Sequence, residues 1–203
     1  MIKVNDLQKG KKNRYIVTLN EKEYDVNENL ILNYHLVKGY VIEDDKILDD
    51  IISDISYYDF YDIALTYLER NVKSSGEIKN YLKKKGASDE ISSKIVSELI
   101  SHKLLDDKKY FELYVSHYIR IGYGPIYIIN KAKQSGIPQN IIEEFDFINY
   151  KDDIKASCLK QSQKKIKLIK ESDAYQKIMK LKRYLISRGY DYDMINEAIK
   201  ETI

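Results

Sequence analysis

The chain has 203 residues, 43% of them hydrophobic and 33% charged, which excludes wholesale disorder and leaves room for one large domain or several small units in a row. Lys and Arg number 34 against 32 Asp and Glu, and a net charge of +2 announces neither a nucleic-acid nor a membrane partner, so any electrostatic function must be local. No window approaches the roughly 18 uncharged apolar residues of a membrane span, and Met1-Ile2-Lys3-Val4 opens no apolar signal core, so a cytoplasmic protein is expected. A single cysteine, Cys158, and three scattered histidines exclude an internal disulfide and a structural zinc site.

In chain order, residues 14 to 26 hold two β-prone runs, Arg-Tyr-Ile-Val-Thr-Leu and Glu-Tyr-Asp-Val, around the polar turn Asn20-Glu21-Lys22, which predicts a small β-hairpin. Asn27 or Asn29 can cap a short helix carrying Leu30, Ile31, Tyr34 and His35, with Gly39 as its stop. Asp44 and Asp45 precede a second short helix through Ile47, Leu48, Ile51 and Ile52. From about residue 58 every apolar pattern recurs at three or four, so the remainder is expected to be helical.

That helical part repeats. Gly86, Gly136 and Gly189 stand 50 and 53 residues apart. Four positions before them are Leu82, Ala132 and Leu185, eight before them Ile78, Ile128 and Leu181, and five after them Ile91, Ile141 and Met194. One design of helix, glycine stop and helix is used three times. Each glycine falls where a helix C-terminus wants positive φ, and Lys83-Lys84-Lys85, Lys133 and Arg188 put cations at the negative end of the dipole.

The first unit breaks at 71 to 73, and Ser74-Ser75-Gly76-Glu77 forms a capping box for the helix that follows. In the second, Asp106 or Asp107 caps a helix burying Tyr110, Phe111, Tyr114, Val115 and Tyr118, and Gly122-Tyr123-Gly124-Pro125 ends it with proline set to open the next helix. The third begins with a basic helix over about 153 to 170. The fold class expected is mainly α, three tandem three-helix repeats (58–105, 106–150 and 151–203) in an elongated, curved array, preceded by an extension of hairpin and short helices (1–57).

No nucleophile with a base, metal cluster or phosphate loop is present in usable form, so no catalytic residue, cofactor or metal is expected. The acidic doublets 44–45, 49–50 and 106–107 sit at helix starts, where capping explains them. Charge is graded: residues 1 to 63 carry 8 positive and 13 negative side chains, whereas residues 151 to 203 carry 13 and 8. Lys160, Lys164, Lys165, Lys167 and Lys170 form a candidate phosphate-contacting patch, continued by Lys177, Lys180, Lys182 and Arg183; such lysines would carry no base preference.

Several segments together resemble the bacterial RecX family of recombinase regulators. Ala64-Leu65, Leu68-Glu69-Arg70, Lys73-Ser74, Glu77-Ile78 and Tyr81-Leu82 up to Gly86 are similar to its first signature. Leu105-Asp106-Asp107, Tyr110, Tyr114-Val115, the turn 122–125, Ile129 and Gly136-Ile137 resemble its second, and Leu185 to Ala198 its closing repeat. The resemblance implies a non-enzymatic protein of three three-helix units that binds the RecA recombinase or its DNA filament, lies in the filament groove and modulates its recombinase, ATPase and coprotease activities, generally by inhibition. Carried over by position, Arg70, Lys73, Arg120, Lys131 and Lys133 become the candidate partner-facing basic surface. The chain departs from the family's basic pattern at Ser116, Tyr118 and Tyr127. A rival reading is a helical module that binds nucleic acid without sequence preference, and a third is an unrelated helical-repeat adaptor.

Overall fold

A computed structural model describes residues 1–11, 13–44 and 46–203. Asp45, expected beside Asp44 at a helix start, lies outside the described residues. The chain divides into two compact units, one made of Met1–Asn71 with Ile78–Ser101 and the other of Val72–Glu77 with His102–Ile203.

In the first unit the expected hairpin is one end of a larger antiparallel sheet. Strands β1 (Ile2–Lys9), β2 (Arg14–Leu19), β3 (Lys22–Asn27) and β4 (Val41–Ile42) lie in the order β3-β2-β1-β4. β2 and β3 pair from Arg14↔Asn27 to Leu19↔Lys22, and Asn20 takes the left-handed turn position at φ 54°. The first strand, IKVNDLQK, escapes a pattern search because only its start alternates, with Ile2 and Val4 buried and a register shift before Asp6. Asn27 caps helix α1 (Glu28–Tyr34) by accepting from the Asn29 N–H at 2.9 Å. His35, not Gly39, is its left-handed stop, at φ 51°; Gly39 adopts φ 91° in the turn that follows.

The expected short helix over 47 to 52 is the beginning of helix α2 (Lys46–Leu68), 23 residues without a break. No Gly or Pro interrupts this stretch, so nothing in it forces the chain to turn between Ile52 and Tyr58. Its Ile51 completes the core of Ile2, Val4, Val17, Leu19, Val26 and Leu30. Arg14 anchors the sheet to it, pairing with Asp59 and, at 2.9 Å, with Asp25 on β3. Helix α3 (Ser75–Lys84) and helix α4 (Asp89–Ser101) follow, and α4 packs on α2, where the Tyr57 hydroxyl donates to Glu98.

The second unit holds helices α5 (Asp107–Arg120), α6 (Pro125–Gln134), α7 (Gln139–Glu144), α8 (Lys151–Ile166), α9 (Ala174–Ser187) and α10 (Tyr192–Thr202), with a 3-10 turn at Ile148–Tyr150. Asp106 caps α5 through the Lys109 N–H, and Pro125 opens α6 as expected. The residues 72–77 bring the capping box: the Ser74 N–H donates to Glu77 Oε2 and the Glu77 N–H to Ser74 Oγ, both at 3.1 Å. One core joins Phe111, Val115, Ile128, Ala132, Ile154, Cys158, Leu181, Leu185 and Ile195.

The three anchor glycines have positive φ, 102° at Gly86, 74° at Gly136 and 81° at Gly189. Two of them also do something the sequence pattern does not announce. At Gly189 the end of α9 meets the start of α6: the Gly124 N–H donates to the Arg188 carbonyl at 2.8 Å and the Ile126 N–H to the Gly189 carbonyl at 3.1 Å. A Cβ on Gly124 would overlap the Gly189 carbonyl, and one on Gly189 would overlap the Tyr127 backbone. At Gly136 the end of α6 meets the start of α3 in the same register, with Ser74 Oγ donating to the Ser135 carbonyl at 3.3 Å and a Cβ on Gly136 falling 3.0 Å from the Gly76 Cα. Gly86 has nothing within 4 Å of its Cβ direction.

The contrast is testable. Gly86→Ala should cost only the left-handed penalty, about 1–2 kcal/mol, whereas Gly189→Ala should add about 1–3 kcal/mol of overlap. Equal shifts of the urea midpoint in the two variants would show that the second glycine is merely a helix stop.

Candidate functional site

Two open cavities in the second unit gather six of the cationic residues singled out in the sequence: Arg120 and Lys160 in one, and Lys165, Lys170, Lys180 and Arg183 in the other. The first, of about 380 Å3, lies where the end of α5 meets α8. Ile119, Tyr150, Ala156 and Ser157 form its floor, and Ser116, Arg120, Asp153 and Lys160 its rim. Its back wall is pinned: Ser157 Oγ donates to the Ile119 carbonyl at 2.8 Å and lies 3.0 Å from the Tyr190 hydroxyl. The Arg120 guanidinium is 3.4 Å from His117 Nδ1, one turn earlier on α5. Neither Arg120 nor Lys160 forms an ion pair among the described residues.

The second cavity, of about 440 Å3, lies between the end of α8 and the face of α9. Lys165, Lys170, Lys180 and Arg183 surround Leu168, Ile169 and Tyr184, and the one carboxylate there, Glu171, is held by Lys180. Lys165 Nζ stands 5.1 Å from the Tyr184 ring centroid. Lys165 and Lys170 raise the local positive potential as point charges, and Arg183 adds one planar fork of donors.

The structure therefore divides the expected lysine patch. Lys160 belongs with Arg120, Lys165 and Lys170 belong with Lys180 and Arg183, and Lys164 and Lys167 are exposed on α8 and just past its end. Lys131 and Lys133 occupy the last turn of α6, at the far end of that helix from the turn that follows Arg120, and neither cavity includes them. Arg70 is exposed after α2, and Lys73 is half-buried before the capping box. Sequence reasoning missed Asp153, Tyr150, Ser116 and Ser157 as neighbours of Arg120. Only the apposition of α8 and α5 unites them, and no local pattern encodes that.

An aromatic strip runs along the face of α5 turned away from the Ser116, Ile119 and Arg120 side. Tyr110, Tyr114 and Tyr118 follow one face of α5, and Tyr118 packs on Tyr123 and Tyr127 at ring distances of 5.8 and 5.9 Å. Tyr123 and Tyr127 stack at 3.9 Å, and the Arg188 guanidinium lies over Tyr123 at 4.5 Å and Tyr184 at 5.3 Å. Tyr118 and Tyr127 thus pack together. Burial and the Glu77 charge both push the Tyr110 hydroxyl above its ordinary pKa, so it stays a neutral donor.

No group of three or more His, Cys, Asp or Glu among the described residues could hold a metal ion. No described helix is long and apolar enough to cross a membrane.

The arrangement of repeats has counterparts. Residues 61–99 match the model described as RecX, first three-helix domain, and residues 152–199 that described as RecX, third three-helix domain. The regulatory protein RecX of Bacillus licheniformis is 30% identical, over 96% of this chain and 74% of its own length. That of Clostridium acetobutylicum is 31% identical, over 97% and 93%. The chain belongs to the RecX family. A crystal structure of a regulatory protein RecX superposes with a TM-score of 0.86 at 22% identity, covering 99% of this chain and all of that one, which supports the fold. The RecX structure from Lactobacillus salivarius gives 0.65 at 26% identity over 72% of this chain and 96% of its own. The role is accordingly that of a RecX-type regulatory protein, in a family whose members are not known as enzymes.

Cys158, on the buried side of α8, has its thiol pushed up to about 12 by burial. A thiol reagent at pH 8 should leave the native protein unmodified and titrate one thiol after unfolding. Rapid modification of the folded chain would show that α8 does not seal the core.

Proposed function

We propose that this protein binds the RecA recombinase, or the filament it forms on DNA, and modulates it in the cytoplasm, chiefly by inhibiting recombinase, ATPase and coprotease activity. One observation carries this: relatives named as regulatory proteins RecX match the chain over nearly its whole length. Three repeats, at 58–105, 106–150 and 151–203, supply the surface, with Arg70, Lys73, Arg120, Lys131 and Lys133 facing the partner. Nothing in this reading requires catalysis. A ligand that bridges subunits shifts the balance between active filament, capped filament and free subunits according to which it binds most tightly.

A second reading is favoured by the cavity of Lys165, Lys170, Lys180 and Arg183: contact with nucleic acid without sequence preference. Its signature is salt. Neutralising about four phosphates on a single strand gives a slope near −3 in log K against log salt.

The two separate in one titration. The cognate RecA, assayed for single-strand-dependent ATPase and strand exchange at two salt concentrations, should lose activity with well under one regulator per recombinase. No effect at any ratio, together with salt-steep binding to bare DNA, would overturn the regulator reading and establish the second.

A further inference from the structure

We infer that the cavity between α5 and α8 is the docking site for an acidic peptide segment of the protein partner, one in which a carboxylate side chain neighbours an apolar one. The inference rests on the regulator reading for the partner's identity, and on the cavity alone for its chemistry. The floor of Ile119, Ala156 and Tyr150 offers an apolar side chain a place to be buried. Arg120 and Lys160 stand at its rim, neither of them paired with a described carboxylate. The guanidinium lies 3.4 Å from His117 Nδ1, and its planar fork matches a carboxylate with two parallel donors.

Asp153 decides between a peptide and a phosphodiester chain. It lines the same rim, exposed and without a described cationic partner. A sugar-phosphate backbone brings only acceptors and negative charge, so Asp153 would repel it. An extended peptide brings one N–H per residue, and Asp153 can accept one while Arg120 and Lys160 take the side-chain carboxylate. The site is also built on rigid parts. Ser157 ties the end of α5 to α8 and reaches Tyr190 from the other side, so a ligand meets a preformed cavity.

The basic stripe of α8 lengthens the footprint. Asp153, Ala156, Lys160, Lys164 and Lys167 fall within about 80° of arc at 3.6 residues per turn, opposite the buried Ile154, Cys158 and Ser162. A segment seated in the cavity by its apolar residue can carry further carboxylates along Lys164 and Lys167.

Ala156 is exposed on the floor, so Ala156→Trp fills the cavity without changing a charge or a core residue. Three labelled probes are titrated against the full chain and this variant: a soluble peptide alternating Asp with Leu, its Asn-for-Asp counterpart, and a short oligo(dT). The wild-type chain should bind the acidic peptide at least about tenfold more tightly than the amide version. Ala156→Trp should lose that affinity by about tenfold and hold its oligo(dT) affinity within about twofold. Arg120→Glu should lose the acidic peptide as well. No binding of the acidic peptide, equal binding of the two peptides, indifference to Ala156→Trp, or loss of oligo(dT) in step with the peptide would each overturn the inference. RecA inhibition measured on the same preparations separates the two levels. Wild-type protein that binds the peptide but leaves RecA untouched removes the regulator reading. Ala156→Trp that inhibits RecA as well as wild type removes the cavity from the partner interface.

Discussion

Helix ends meeting helix ends is the constraint on which the second unit depends. Every helix leaves carbonyls without partners at its C-terminus and N–H groups without partners at its N-terminus. Where α9 runs out, the Arg188 and Gly189 carbonyls accept from Gly124 and Ile126 at the start of α6. Where α6 runs out, the Ser135 carbonyl accepts from Ser74 in the capping box of α3. The partial charges at the two ends are opposite, so each junction is favourable electrostatically as well as in hydrogen bonding. Backbones can approach this closely only where side chains are absent, which is why Gly124 faces Gly189 and Gly76 faces Gly136.

That arrangement fixes the neighbourhood of the candidate site. The turn 121–124 has α5 ending on one side and α6 starting on the other, and Arg188 closes over it: its guanidinium reaches the Gly122 carbonyl at 3.4 Å and covers the Tyr123 ring. Gly122 is packed against the Gln161 side chain of α8, so a Cβ there would collide with it. The end of α5, and with it Arg120, is therefore held from the α6 side, the α8 side and the α9 side. A cation at the end of a frayed helix would make a diffuse contact; one held in this way can make an oriented one.

The periodic part of this fold was legible because its signals are local. A glycine that must take positive φ, a Ser-x-x-Glu box and a proline at the first helical position each report their surroundings within four residues, and all stand where the sequence puts them. The family resemblance was legible for the same reason, as an ordered set of such signals. The extension was harder. β1 breaks its alternation at a register shift, β4 is two residues long, and α2 runs through a stretch where short apolar clusters suggested a pause. The site was harder still. Arg120 and Lys160 lie 40 residues apart, and their meeting depends on the angle at which α8 leaves the 3-10 turn at Ile148–Tyr150. Gly76 and Gly124 looked like ordinary helix-start residues, since the partner that requires them to be glycine lies 60 and 65 residues further on.

The tyrosines at 118 and 127 bear on how charge is used. Rings at these two positions add no charge there, and the cations that line the cavities are Arg120 with Lys160 in one and Lys165, Lys170, Lys180 and Arg183 in the other. An unbroken basic face attracts any polyanion. Two separate basic rims, one of them marked by Asp153, attract a polyanion less and discriminate shape more, because only a ligand that fits a cavity gains the apolar contact together with the charge. Such a surface favours a partner with both carboxylate and apolar groups, and a protein offers that combination where a phosphodiester chain does not.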